Sequence, residues 1–208
     1  MKNNLEEYCI SHSEPESKIQ VQIREYTYKN EIYPQMISGP IVTNFLSSLI
    51  RSINAKRILE IGMFTGYSAV SMAQTMKSDG QLHTCEQMEE HVKTATKFIS
   101  KSKLKDIIKI HHAPAIDTLE TFKVNSFDFI FIDADKINYL NYYLMSIHLL
   151  KSNGIIVLDN MLWSGEVLHP QDDASKKLRE TGDYIQNDKR VINMLYPIRD
   201  GLMVCYKK

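Results

Sequence analysis

Apolar residues in this chain gather in short runs separated by amphipathic stretches. Five runs are too short and too continuous for helices and are read as strands. They are Arg57 to Ile61 (RILEI), Gln81 to Glu86, Ile107 to His111, Phe127 to Ile132 (FDFIFI) and Gly154 to Leu158 (GIIVL). Helical spacing between them predicts helices over Tyr67 to Met76, Glu89 to Ser100 and Tyr139 to Leu150, and a polar-faced one over Ala174 to Asn187. The chain opens with polar, helix-forming sequence. A turn is expected at Ser13 to Ser17, with Pro15 in a first helical turn. A further helix is expected from Pro40 to Ser52, its apolar face formed by Ile41, Phe45, Leu46, Leu49, Ile50 and Ile53. Two closing strands, Val191 to Ile198 and Leu202 to Tyr206, flank Arg199-Asp200-Gly201.

Strands that alternate with helices imply right-handed crossovers and a parallel sheet buried on both faces. The last connection is too short for a crossover and fits a hairpin, so the final strand should run antiparallel. The expected fold is α/β and Rossmann-like, a seven-stranded, mostly parallel sheet with helices on both faces. One domain of 208 residues is expected, with residues 1–35 as an N-terminal helical extension. In such sheets ligands bind outside the carboxyl ends of the strands.

Composition narrows the function classes. Lys+Arg and Asp+Glu are both 25, and the zero net charge disfavours a dedicated nucleic-acid coat or a basic membrane-surface protein. No apolar run approaches the ~18 residues of a membrane span. Met1 to Glu7 is polar, so no signal peptide is expected. Cys9, Cys85 and Cys205 are too few and too scattered for a disulfide frame or a zinc site. A reduced, cytoplasmic protein is the resulting expectation. His111, His112, His148 and His169 show no ligand spacing and are read as structural or surface residues.

The residues suited to chemistry fall at strand ends. Gly62-Met63-Phe64-Thr65-Gly66 follows the first strand and opens a helix, and its glycines let backbone pass close to a ligand. It lacks the third glycine of dinucleotide binders and the lysine of a phosphate loop. Glu86 ends the second strand, where an acid can accept both hydroxyls of a ribose. A glycine turn and a ribose acid without a phosphate cradle suit S-adenosylmethionine better than NAD. Asp133 follows the fourth strand and Asp159-Asn160 the fifth. Neighbouring strand ends lie ~5 Å apart, so two carboxylates and one amide could converge on a hard cation, Mg²⁺ before Mn²⁺ or Ca²⁺. Lys136 lies three residues after Asp133, and cations beside a lysine favour the neutral amine of a general base. Trp163, the only tryptophan, could flank a planar substrate.

Taken together, LEIGMFTGYSAVSMA, FDFIFIDADKINYLNYY, GIIVLDNMLWSGEV and YPIRDGLMVCYKK resemble the class I, cation-dependent O-methyltransferases of the caffeoyl-CoA and catechol type. The resemblance spans roughly Met36 to Lys207. It implies that Met36 and Ile37 wall the methionine pocket, and that Glu60, Gly62 and Ser68 hold the amino-acid end. It further implies Glu86 on the ribose, Ala115 near the adenine, and Asp133 and Tyr142 near the cofactor. Asp133, Asp159 and Asn160 would bind the metal, Lys136 would match the base, and the chain would form a homodimer. Ser38-Gly39-Pro40 departs from the Ser-Pro-x-x-Gly-Gln often found there. The expected reaction is methylation of a vicinal-diol aromatic acceptor. Methylation of a hydroxylated tRNA uridine, a nucleoside-binding module without turnover and a NAD-linked oxidoreductase are the alternatives.

Overall fold

A computed structural model describes residues 2–208. Met1, which begins the polar opening stretch, lies outside the described residues. The strands are β1 (Arg57–Ile61), β2 (Gln81–Glu86), β3 (Ile108–His112), β4 (Phe127–Ile132), β5 (Leu150–Leu158), β6 (Val191–Tyr196) and β7 (Leu202–Lys207). The helices are α1 (Lys2–Ser11), α2 (Lys18–Asn30), α3 (Gly39–Ser52), α4 (Tyr67–Thr75), α5 (Glu89–Ile99), α6 (Ala115–Glu120), α7 (Tyr139–Leu149) and α8 (Asp173–Asn187). The strands form one seven-stranded sheet in the order β3-β2-β1-β4-β5-β7-β6. β7 pairs antiparallel with both β5 and β6, and the pairs from β3 to β5 are parallel. This is the expected Rossmann-like α/β architecture.

The continuous apolar runs are explained by burial on both faces. Along β4, Phe129 and Phe131 join the core cluster shared with α3 and α4, while Ile130 and Ile132 face the cluster shared with α7. Ile155 and Val157 divide from Ile156 and Leu158 in the same way along β5.

The structure moves several element boundaries. Ser17 and Gln20 form a reciprocal capping box, so α2 begins at Lys18 and Pro15 precedes the helix. β5 begins at Leu150, earlier than expected. An irregularity between Phe127 and Phe129 in its pairing with β4, and the left-handed Asn153 (φ 63°), let the strand run through a segment that reads as a turn. β6 stops at Tyr196 because Pro197 has no N–H to offer the ladder. In α3 the buried line is Val42, Leu46 and Ile50, with Phe45, Leu49 and Ile53 at its margin. α6 and three short 3₁₀ turns, at Pro34–Met36, Lys136–Asn138 and Trp163–Leu168, were not expected. Among the described residues no helix is long and apolar enough to cross a membrane.

Candidate active site

The carboxyl ends of β1, β2, β4 and β5 open onto one cavity of about 840 Å³. The β1–α4 turn forms its floor. Gly62 and Gly66 hold φ near +96° and +91°, a region that favours glycine. A Cβ on Gly62 would collide with the Asp133 carbonyl oxygen, so this glycine lets the ends of β1 and β4 close against each other. Asp133 N–H donates to the Ile61 carbonyl at 2.8 Å, completing that junction.

Glu86 is fixed by the same turn. Its carboxylate accepts the Phe64 N–H at 2.9 Å and the Met88 N–H at 2.8 Å. The His91 ring stands 3.6 Å from it, and Glu31 lies 3.7 Å from the other side of that ring. An acid held this way needs little reordering to accept ligand hydroxyls. The N-terminal extension is stitched to the turn by Thr27 and Thr65, whose hydroxyls are 2.8 Å apart, and by Tyr67, which donates to Glu16 at 2.8 Å.

The other half of the cavity is acidic. Asp159 is 4% exposed, and burial together with the neighbouring Asp133 pushes its carboxyl up to about 7. Its Oδ1 accepts the N–H of Asn160, a left-handed residue (φ 59°). Lys136 donates to Asp133 Oδ1 at 3.2 Å and to the Tyr139 hydroxyl at 2.6 Å, and its ammonium stands 5.8 Å from the Trp163 ring centre. Tyr139 is fully buried, and that burial, with Asp133 and Asp159 nearby, holds its hydroxyl protonated far above the usual range.

Met36, Ile37, Gly62, Ser68, Glu86, Ala115, Asp133, Lys136, Tyr142, Asp159, Asn160 and Trp163 all line this cavity. Glu60 does not. It is fully buried behind the wall, where Thr84 donates to its Oε2 at 2.5 Å and Oε1 has no partner. Burial pushes its carboxyl up to about 8. Sequence reasoning missed Tyr139, His91, Asp135, Arg199 and Asp200. Of these only Tyr139 left a readable signal, since it stands three residues after Lys136 and so shares its helical face. Asp135 accepts from Tyr142 at 2.6 Å.

Asp133, Asp159 and Asn160 suit a hard dication in chemical type. Two carboxylates are held close enough to raise one of them, and both supply oxygens. No group of three or more His, Cys, Asp or Glu with metal-holding geometry occurs among the described residues, so a cation here would rely on the amide and on water or substrate oxygens.

Residues 10–208 match the model of a family described as O-methyltransferase. Caffeoyl-CoA O-methyltransferase 1 of Eucalyptus globulus is 35% identical over 196 residues, covering 88% of this chain and 79% of that protein. The crystal structure of an O-methyltransferase from Bacillus cereus in complex with SAH superposes with a TM-score of 0.89 at 28% identity, covering 98% and 97% of the two chains. The SAH-bound methyltransferase PaMTH1 of Podospora anserina gives a TM-score of 0.91 at 25% identity, over 100% and 95% of the chains.

Proposed function

The chain belongs to the O-methyltransferase family and uses S-adenosylmethionine, and from that premise we propose that it methylates one hydroxyl of an aromatic vicinal diol with a divalent cation in the site. The observation that carries this reading is the buried Asp159 facing the partly exposed Asp133, with Asn160 and Lys136 lining the same cavity. A carboxylate set beside a buried one raises the buried group's proton affinity unless a cation sits between them. Asp133, Asp159 and Asn160 would hold that cation. When bound, it would supply the charge that acidifies a hydroxyl and orients a pair of vicinal oxygens.

The chain's own residues account for the rest. Gly62, Ser68, Met36, Ile37, Ala115 and Tyr142 enclose the methyl donor, and Glu86 accepts from its ribose. Trp163 flanks the acceptor ring. The Lys136 amine takes the hydroxyl proton at Nζ. The acceptor oxygen then forms a bond to the methyl carbon as the carbon–sulfur bond breaks, and the sulfonium leaves as the thioether of S-adenosylhomocysteine. The Tyr139 hydroxyl, accepting from Nζ at 2.6 Å, holds the amine in place. Holding both reactants in one cavity is worth several powers of ten in rate.

The charge of the wall favours a small acceptor over tRNA. Glu86, Asp133, Asp135, Asp159 and Asp200 line the cavity against Lys136 and Arg199, which is not the basic surface a polyanion needs. Radiolabelled S-adenosylmethionine tests the reading directly. Catechols and hydroxycinnamoyl thioesters should gain label in Mg²⁺, and excess EDTA should stop it. Full turnover in EDTA, or label only on undermodified tRNA, would overturn it.

A further inference from the structure

Arg199 sits in the turn between β6 and β7 with φ 49°, a conformation that residues with a Cβ avoid. The turn is held tightly. Asp200 accepts the Ser164 N–H at 2.6 Å through its side chain and the Leu162 N–H at 2.9 Å through its carbonyl, and the Gly201 carbonyl accepts from Met161 N–H at 3.0 Å. The β6–β7 turn is thereby fixed to the loop that carries Asn160 and Trp163.

The side chain lines the same cavity as those residues. Its Nη1 stands 2.8 Å from where a Cβ on Gly39 would lie, so a glycine at the start of α3 leaves room for the guanidinium. That end of α3 has no side-chain cap, and helix N-termini carry partial positive charge. A cation is poorly placed there unless an anion joins it. Among the described residues the guanidinium makes no hydrogen bond. Its one ion pair within 4 Å among the described residues is with Glu6, 3.7 Å away, and both side chains are more than a third exposed. A strained backbone, a cleared space and a fork of donors without hydrogen bonds therefore meet in the cavity wall that also holds Asn160 and Trp163.

We infer that Arg199 recognises an anionic group on the acceptor, so that the preferred substrate is a vicinal diol carrying a carboxylate or phosphate away from the ring. The inference rests on the diol reading above. A guanidinium matches either anion through paired donors. A free hydroxycinnamate would offer a carboxylate, and a coenzyme A thioester would offer phosphates.

The test is affinity of SAH-loaded protein for caffeate, methyl caffeate and caffeoyl-CoA, with turnover of each measured alongside. Wild type should bind the charged acceptors more tightly than the ester. In Arg199→Gln the preference should fall by ~10–100-fold, the usual strength of a charged hydrogen-bonded pair. The loss should appear in KM more than in kcat. Arg199→Gly should lose the same preference while tolerating the left-handed turn, which separates lost recognition from lost folding. A drop confined to caffeoyl-CoA assigns the anion to phosphate, and a drop on caffeate assigns it to carboxylate. An unchanged preference, an equal loss on all three acceptors, or no binding of any acceptor overturns the inference. Discrimination in binding without methylation of any diol would instead sink the reaction assigned to the site and leave Arg199 in its role.

Discussion

Glu60 offers the sharpest test of how this site's interior is built. The carboxyl is fully buried, accepts from Thr84, has the Ser68 hydroxyl beside it, and leaves Oε1 without a hydrogen bond of good geometry. Burial raises it from an ordinary 4.5 to about 8. The folded protein therefore keeps a proton that the unfolded chain has released between those two values. By linkage, stability falls as pH rises through this window, and the full cost is felt above pH 8. Glu60→Gln copies the protonated acid: it is neutral and still accepts from Thr84. At pH 5 the two proteins should be nearly equal in stability. At pH 9 the variant should be the more stable, by up to about 5 kcal/mol if the whole 3.5-unit rise is expressed. For a chain of this size that corresponds to ~10–20 °C in melting temperature. Calorimetric melting of both proteins from pH 5 to pH 9 checks this, and parallel curves would refute it. Saturating S-adenosylhomocysteine should raise the wild-type curve by the same amount at every pH, because Glu60 lies behind the cavity wall. A rise that grows with pH would put the ligand's ammonium on Glu60.

Two further outcomes follow from the cavity. Lys136→Ala should retain affinity for S-adenosylhomocysteine while kcat falls by ~10²–10⁴, the usual worth of a general base; undiminished kcat in single-turnover assays would remove the lysine from proton transfer. Glu86→Ala should weaken S-adenosylhomocysteine by ~10–100-fold, since an acid poised by two backbone N–H groups loses its ribose hydroxyls. Unchanged affinity by calorimetry would take the ribose away from Glu86.

The strand pattern was legible because both faces of the sheet are buried. RILEI, QLHTCE and FDFIFI have no solvent face to interrupt them, and their boundaries match β1, β2 and β4 residue for residue. The six residues of α6 are too few to establish a helical period, so that helix was invisible. Residues at strand ends could be assigned to one cavity because parallel topology gathers such ends together. What pattern could not reveal was side-chain direction and pairing across strands. Glu60 precedes the glycine turn by two residues, yet the pleat aims it inward at Thr84 on β2. His111, read as structural or surface, stacks on His83 of the neighbouring strand with ring nitrogens 2.9 Å apart. That contact depends on the register of β2 against β3, and no spacing along one chain encodes it. Burial then pushes His83 down to about 4, so the pair stays uncharged near neutrality. Arg199 was passed over because a turn of Arg-Asp-Gly reads only as a hairpin connector.

The most direct measurement of the central claim is divalent-cation binding to the S-adenosylhomocysteine-loaded protein, followed by the electron spin resonance of Mn²⁺. Wild type should hold one ion per chain, competed by Mg²⁺. Asp159→Ala should lose that ion while binding S-adenosylhomocysteine as wild type does, because Glu86 and the Gly62 turn lie on other strand ends. An ion held equally well by the variant, or none held by wild type, would contradict the assignment of Asp133, Asp159 and Asn160 to a cation.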